Sequence, residues 1–298
     1  MKTKAFILII IAGILWGTSG IFVNYLKPYG FSSIQMTSMR SIISVAVLAI
    51  YIAITNRKLF KVKPFDLLLF LLSGLSFFGT ASCYYASMQM TSVSTAVILM
   101  YTAPVIVMIF SVAFLGEKFT KMKGVSTALM LIGCCLVSGV VGGLKFNALG
   151  IFIGAMSGVC YSAYNIITKI AMKRGANPVS TTFYTFLCAA IVSLVSNPID
   201  MISHFESNPA FTVPLAVLLG IVTCISPYFL YTLAMRDLPA GTASALGIIE
   251  PMAATVFSII LLDEKLSVYS IIGIVLILTA VFILGKAEDY KEPKVEND

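Results

Sequence analysis

Two ionisable side chains lie within apolar stretches of the sequence and could do chemistry there. Glu250 is the fourth residue of GIIEPMAATVFSIILL and is followed directly by Pro251. Arg40 lies in SSIQMTSMRSIIS, near the start of another apolar stretch. A carboxylate can bind a cationic ligand or carry a proton, and the planar guanidinium of arginine suits a carboxylate or a phosphate. Because ionisable groups are rare and costly at membrane depth, both residues are candidate functional groups.

Each of these residues also has a purely structural interpretation. Glu250 could remain protonated and hydrogen-bond a backbone carbonyl or a tyrosine. Arg40 could extend its long side chain to the membrane interface or form an internal ion pair. The sequence leaves the structural and the functional interpretation open for both residues.

Polar and aromatic residues at spacings of three and four on several predicted helices supply further candidates for a cavity. Helix packing explains the aromatic residues as well as binding does, and hydrogen bonds between helices explain the asparagines. Three prolines are candidates for helix breaks and gating, because proline lacks the amide that continues a helix. The substrate-binding candidates are Trp16, Asn24, Tyr84, Tyr161, Asn165 and Tyr231, and the prolines are Pro104, Pro227 and Pro251.

The composition shows what kind of chain surrounds these residues. Of the 298 residues, 59% are hydrophobic and 11% are charged, whereas a soluble domain carries about 25% charged residues. Apolar runs of about 20 residues follow one another, each long enough to cross a bilayer. The sequence therefore predicts an all-α polytopic membrane protein with ten transmembrane helices. The predicted spans are 5–26, 33–54, 65–88, 93–115, 122–141, 148–169, 179–197, 213–234, 240–262 and 267–285.

Lysine and arginine are distributed unevenly between the two sides of the predicted bundle. One side carries sixteen of them, the other only Lys27, Lys145 and Lys265, and Arg40 inside a span completes the 20. This positive-inside bias predicts a multi-pass protein of the cell membrane with both termini in the cytoplasm. The net charge of +7 then records topology, so we expect the lipid bilayer and not a nucleic acid as the partner.

The pattern of reactive residues does not favour an enzyme. All six cysteines lie in apolar spans, without the spacing of a disulfide framework or a zinc site. The single histidine, His204, falls in a predicted external loop, and neither HExxH nor GxSxG occurs. We therefore expect no metal, no cofactor and no catalytic activity. An intramembrane enzyme is the more remote alternative, and a sensor or assembly subunit without a transport cycle is another.

The second half of the chain repeats the first. At an offset of 147, YTAPVIVMIFSVAFLGEKFT (101–120) aligns with IIEPMAATVFSIILLDEKLS (248–267), and Ala103 aligns with Glu250. We divide the chain into a first repeat at 1–143, a second at 144–286 and a charged cytoplasmic tail at 287–298. A repeat of five spans ends on the side opposite its start, so the second repeat is inverted. Inverted repeats are typical of secondary transporters with a midplane substrate site.

Several motifs, present in order and in duplicate, resemble the EamA branch of the drug/metabolite transporter superfamily. They are TAP with LGEK, IEP with DEK, and WGTSG in the first predicted helix. The resemblance covers nearly the whole chain and implies two five-helix repeats that export amino acids, other metabolites or toxic compounds. We therefore expect a secondary active or facilitative transporter of small metabolites, with alternating access and, as one form of energy coupling, proton uptake by Glu250. The resemblance specifies neither the substrate nor the oligomeric state.

Both ends of the chain are expected in the cytoplasm. Epitope tags fused before residue 1 and after residue 298 should survive protease added to intact cells and be cleaved after permeabilisation. A tag inserted after His204 should be cleaved in intact cells and serves as the control. Cleavage of either terminal tag in intact cells would contradict the predicted topology.

Overall fold

The structure is a computed structural model that describes residues 2–139, 147–194, 198–262 and 267–289. Fifteen α-helices account for most of these ranges, and no strand occurs within them. The helices are α1 Lys2–Gly17, α2 Ser19–Leu26, α3 Ser33–Thr55, α4 Pro64–Met90, α5 Val93–Met100, α6 Ala103–Phe114, α7 Lys121–Val137, α8 Ala148–Lys173, α9 Pro178–Ser193, α10 Pro198–Glu206, α11 Pro209–Gly220, α12 Ser226–Ala234, α13 Ala240–Leu246, α14 Ile249–Leu262 and α15 Val268–Asp289.

The all-α polytopic membrane fold is confirmed. Eight helical segments of the described chain are long and apolar enough to cross a bilayer. The other two predicted spans correspond to α7 with 17 residues and α9 with 16, which are shorter than a typical span of about 20. The count of ten is thus confirmed for eight segments. The eight segments are Lys2–Tyr29, Ser33–Thr55, Pro64–Met90, Val93–Phe114, Ala148–Lys173, Pro209–Ala234, Ala240–Leu261 and Val268–Ala287.

Some sequence features lie outside the described residues or differ from the prediction. Lys145, the DEK motif at 263–265 and the tail from residue 290 onward are outside the described ranges. The predicted external loop around His204 contains the helix α10. Met201 of α10 packs with Phe31 and Met36 in a small apolar cluster beside the start of α3, which holds this helix against the bundle.

The connections between consecutive membrane segments lie alternately at one end of the bundle and at the other. We call the end that carries residue 2 and the connections 56–63, 115–120, 174–177 and 235–239 the terminal face. Contacts between these connections and neighbouring helix ends hold it together: Arg174 pairs with Asp66 in the first turn of α4 at 3.0 Å, and Lys173 at the end of α8 donates to the carbonyl of Leu115 at 2.6 Å. The opposite end, which holds 30–32, 91–92 and α10, is called the distal face.

Four of the membrane segments are interrupted near their middle. A turn at Thr18 separates α1 from α2, and residues 101–102 separate α5 from α6 just before Pro104. Residues 247–248 separate α13 from α14 just before Pro251, at the equivalent place in the second half. A wide helical turn, Ile221–Ile225, precedes Pro227. Each proline lacks an amide and its ring crowds the carbonyl one turn earlier, which explains why regular helix stops there.

The two halves pack on each other in a reciprocal pattern. The first helix of each half lies against the third and fourth segments of the other: α1 contacts α12 and α14, while α8 contacts α4, α5 and α6. Other cross-half contacts join equivalent helices, α3 with α9 and α7 with α15, or the second segment of one half with the third segment of the other, α9 with α4 and α3 with α11. Such a pattern is expected of two similar units related by an approximate two-fold axis.

Gly17 and Gly158 allow the two reciprocal contacts; they are equivalent because the starts of the two halves, including Asn24 and Asn165, align at an offset of 141. A Cβ atom at Gly17 of α1 would lie 2.6 Å from the Cβ of Ala253, and one at Gly158 of α8 would lie 2.7 Å from the carbonyl oxygen of Leu99. Both distances are shorter than any van der Waals contact. Small residues therefore let the backbones approach closely where one half meets the other.

Replacing one of these glycines should loosen the bundle. Gly17→Ala is expected to reduce the free energy of unfolding by about 1–3 kcal/mol, because the backbone of α14 cannot move away from the new methyl group. Gly20→Ala is the matched control: nothing lies within 4 Å of its added Cβ, so this variant should melt at or above the temperature of the unmodified protein. Thermal melting in detergent measures both, and equal melting temperatures would contradict the packing described here.

Candidate functional site

A cavity of about 460 Å³ lies between the two halves. Residues at the distal ends of helices form its mouth: Ser33 begins α3, Val93 begins α5 and Ser138 follows α7. None of its described lining residues comes from the connections of the terminal face. The cavity therefore faces the distal side, and its floor lies at the helix breaks before Pro104 and Pro251.

Glu250 and Arg40 are the two charged side chains among the described residues that line this cavity. The two side chains interact electrostatically, but they do not form an ion pair. Both lie within the described ranges, where the ion pairs found are at other residues. A carboxylate and a guanidinium thus face one space from different helices. Opposite charges held apart in a cavity leave room for a ligand between them.

Glu250 lies in the first turn of α14, directly after the break at residues 247–248. The hydroxyl of Tyr101 donates a hydrogen bond of 2.9 Å to its Oε2 atom. Tyr101 is only 2% exposed and sits at the equivalent break between α5 and α6. Since an isolated carboxylate is costly in a low-dielectric interior, this hydrogen bond and the positive charge of Arg40 stabilise Glu250.

Arg40 belongs to the second turn of α3, where Ser32 and Gln35 form a capping box that begins the helix. Its guanidinium lies over the ring of Phe77, 5.4 Å from the centroid. The Nε atom is buried and has no hydrogen-bond partner within the described part of the chain. Arg40 is one of the residues that line the cavity, so its guanidinium can contact a ligand there.

Aromatic rings form most of the cavity wall around these charges. Of the candidate substrate-binding residues, Tyr84 and Tyr161 line it, and Trp16 lines it from the end of α1. Trp16 packs edge-on against Tyr228, with ring centroids 5.0 Å apart, and its buried Nε1 lacks a hydrogen-bond partner among the described residues. Rings of this kind give a ligand apolar contact area, while their hydroxyl and indole groups can still donate hydrogen bonds.

The structure separates the two asparagines, which the sequence treats alike. Asn165 is fully buried behind the cavity wall, where its Nδ2 donates to the carbonyl of Tyr161 at 2.7 Å and its Oδ1 accepts from the hydroxyl of Tyr231. Asn24 is exposed near the end of α2 and does not line the cavity. Asn165 and Tyr231 therefore support the wall without reaching the cavity itself.

The three prolines also occupy different places. Pro251 lines the cavity beside Glu250, whereas Pro104 and Pro227 are buried and do not line it. Tyr101 is the contact that the sequence analysis missed. It belongs to the YTAP motif but aligns with Ile248 in the second half, so the repeat gives no signal for its pairing with Glu250.

Comparison with known proteins agrees with this architecture. The sequence pattern of the EamA-like transporter family matches residues 3–139 and again residues 148–286. The chain belongs to the EamA-like transporter family. One solved crystal structure superimposes with a TM-score of 0.79 over 97% of this EamA-like transporter and 100% of its own chain, at 16% identity, and so shares the fold.

Relatives of this EamA-like transporter occur in bacteria and archaea. The uncharacterized transporter YwfM of Bacillus subtilis is 24% identical over 94% of this chain and 93% of its own. An uncharacterized transporter of Archaeoglobus fulgidus is 28% identical over 92% and 94% of the two chains. Another, from Clostridium kluyveri, is 27% identical over 99% and 96%. Full-length similarity to these proteins supports a membrane transporter.

The two asparagines provide a matched pair of variants. Asn165→Ala removes the acceptor of the buried Tyr231 hydroxyl and should lower the free energy of unfolding by about 1–3 kcal/mol. Asn24→Ala changes an exposed side chain and should alter it by less than about 0.5 kcal/mol. Thermal melting in detergent distinguishes them, and an Asn165→Ala variant as stable as Asn24→Ala would contradict the wall contact.

Proposed function

We propose that this EamA-like transporter is a secondary carrier that exports a small zwitterionic metabolite, such as an amino acid, by alternating access. The observation that carries this proposal is the cavity between the halves, where Glu250 and Arg40 face the same space without pairing. A ligand that bears both an ammonium and a carboxylate group complements these two charges.

The chemistry of the cavity fits such a ligand at each end. The guanidinium of Arg40 can hold the substrate carboxylate through two parallel hydrogen bonds, and its Nε is a donor that no described residue uses. The carboxylate of Glu250 can accept hydrogen bonds from the substrate ammonium while Tyr101 continues to donate to its Oε2 atom. The aromatic wall, including Trp16 and Tyr84, then contacts the substrate side chain.

The sidedness of the cycle follows from the distribution of positive charge. In our proposal the terminal face is cytoplasmic and the protein lies in the cell membrane, because the connections of that face carry most of the lysine and arginine. The cavity of this structure then faces outward. Two similar halves in reciprocal contact can rock about the cavity to expose it to the cytoplasm instead.

Glu250 also provides a route for coupling to a proton gradient. A carboxylate that binds either a proton or the substrate ammonium, but not both, exchanges one for the other across the membrane. Replacement by glutamine keeps the shape and one acceptor but cannot bind a proton. This part of the proposal therefore predicts a loss of pH dependence and not merely a loss of rate.

Transport by purified protein in proteoliposomes tests the proposal. Counterflow of radiolabelled amino acids into vesicles preloaded with the same unlabelled compounds is expected for the unmodified protein. Glu250→Gln should reduce it about tenfold or more and abolish its variation between about pH 5 and pH 8, since charge-assisted hydrogen bonds contribute about 1.5–3 kcal/mol. Arg40→Ala should lose more than Arg40→Lys, which keeps the charge but not the planar fork.

Asn24→Ala is the control for these variants, because Asn24 is exposed outside the cavity and should leave counterflow unchanged. A Glu250→Gln variant whose transport keeps its pH dependence would contradict the coupling role. If Arg40→Ala and the unmodified protein transport a neutral solute equally well, the proposal that the substrate is a zwitterion would be contradicted. The absence of counterflow for every amino acid would favour a sensor or assembly subunit instead.

A further inference from the structure

The terminal face is closed by a contact that crosses from one half of the chain to the other. Glu117, in the connection between α6 and α7, accepts hydrogen bonds from the first two amides of α13. Its Oε1 atom lies 2.6 Å from the nitrogen of Ala240, and its Oε2 atom lies 3.3 Å from that of Gly241. These amides have no partner within their own helix, because the first turn of any helix leaves its amides unbonded.

The local sequence directs Glu117 toward α13. Gly116 has a φ angle of +66°, a left-handed conformation that glycine adopts without strain and that turns the chain at this point. On the other side of the contact, Gly241 lets α13 approach α6 closely, since an added Cβ would lie 3.3 Å from the Cα of Met108. The LGEK motif and the small residues of α13 together form this closure.

A second side chain holds the same segment of the chain. The Nζ of Lys169, from the last turns of α8, donates to the carbonyls of Met235 and Leu238 at 2.8 and 2.5 Å. Both carbonyls belong to the connection between α12 and α13. The segment that leads into α13 is thus held by an anion from the α6–α7 connection and a cation from α8.

Two hydroxyl groups behind this closure lack hydrogen bonds. Ser244 of α13 and Ser111 of α6 are fully buried, and neither side-chain oxygen has a partner within the described residues. Ser244 lies between the amides held by Glu117 and the cavity carboxylate Glu250 along the chain. Buried polar groups without partners are unfavourable, and water that enters from the terminal face would satisfy both.

We propose that Glu117 is the latch of a gate at the terminal face, and that its release from the amides of Ala240 and Gly241 opens a hydrated path past Ser244 to the cavity. This inference rests on the proposed alternating-access cycle and assigns a gating role to a residue outside the cavity. In this structure the latch is closed while the cavity faces the distal side. Glu117 acts through α13 and does not contact the substrate.

Accessibility of residue 244 tests the latch without any substrate. Ser244→Cys serves as the reporter in membrane vesicles that expose the terminal face, treated with a membrane-impermeant maleimide. Mass spectrometry of the peptide that contains residue 244 measures its labelling separately from that of the six native cysteines. Adding Glu117→Ala should raise the labelling rate about tenfold or more, because loss of the latch shifts the population toward the open gate.

Further variants keep the result interpretable. Asp237→Ala removes an exposed carboxylate from the same connection and should leave labelling unchanged. Glu117→Gln retains an acceptor for one amide and should give an intermediate rate, which supplies the test if Glu117→Ala does not fold. Size-exclusion chromatography and melting temperature identify folded variants.

The outcomes separate the latch from the carrier. Equal labelling in the unmodified, Glu117→Gln and Glu117→Ala backgrounds would overturn the latch, even if counterflow of amino acids is observed. Equal acceleration by Asp237→Ala would overturn it as well, because the effect would then be general loosening of the face. Faster labelling only in the Glu117 variants supports the latch, even if no amino acid is transported.

Discussion

A carboxylate and a guanidinium cannot remain within hydrocarbon unless water, a partner or a ligand offsets the cost, and the organisation of this protein follows from that constraint. Glu250 and Arg40 face a cavity instead of lipid, and they do not neutralise each other. Tyr101 donates to Glu250, Phe77 lies beneath Arg40, and helix breaks form the floor. These features hold two charges apart in a space that water or a zwitterion can occupy.

The two halves share their helix breaks and their close helix contacts, but they differ in the charged residues that line the cavity. Equivalent prolines break α5–α6 and α13–α14, and equivalent glycines bring the first helix of each half against the other. The charges are not duplicated, since Ala103 occupies the position equivalent to Glu250. A symmetric frame allows two states of similar packing, and in the proposed carrier one set of charges forms the binding site. Closure of the terminal face by Glu117 and Lys169 selects between these states in our account.

The sequence predicted the membrane fold well because the length of an apolar run is set by bilayer thickness, which is a local requirement. Of the candidate substrate-binding residues, Glu250, Arg40, Trp16, Tyr84 and Tyr161 line the cavity, and their role in binding stays a prediction. Placement of the remaining candidates depends on tertiary contacts that no local pattern encodes. Asn24 and Asn165 occupy equivalent positions, yet one is exposed and the other fully buried, and the partner of Glu250 lies in a helix break 149 residues away.

One-sided access of water to the cavity is the central claim, and Ala254 reports on it because it lines the cavity one turn from Glu250. Ala254→Cys can be treated with a charged, impermeant thiol reagent in vesicles that expose either the distal or the terminal face. Mass spectrometry of the peptide that contains residue 254 measures the reaction. The structure predicts reaction from the distal face at a rate well above that from the terminal face. Equal rates from both faces, or protection from both, would contradict a cavity that opens to one side at a time.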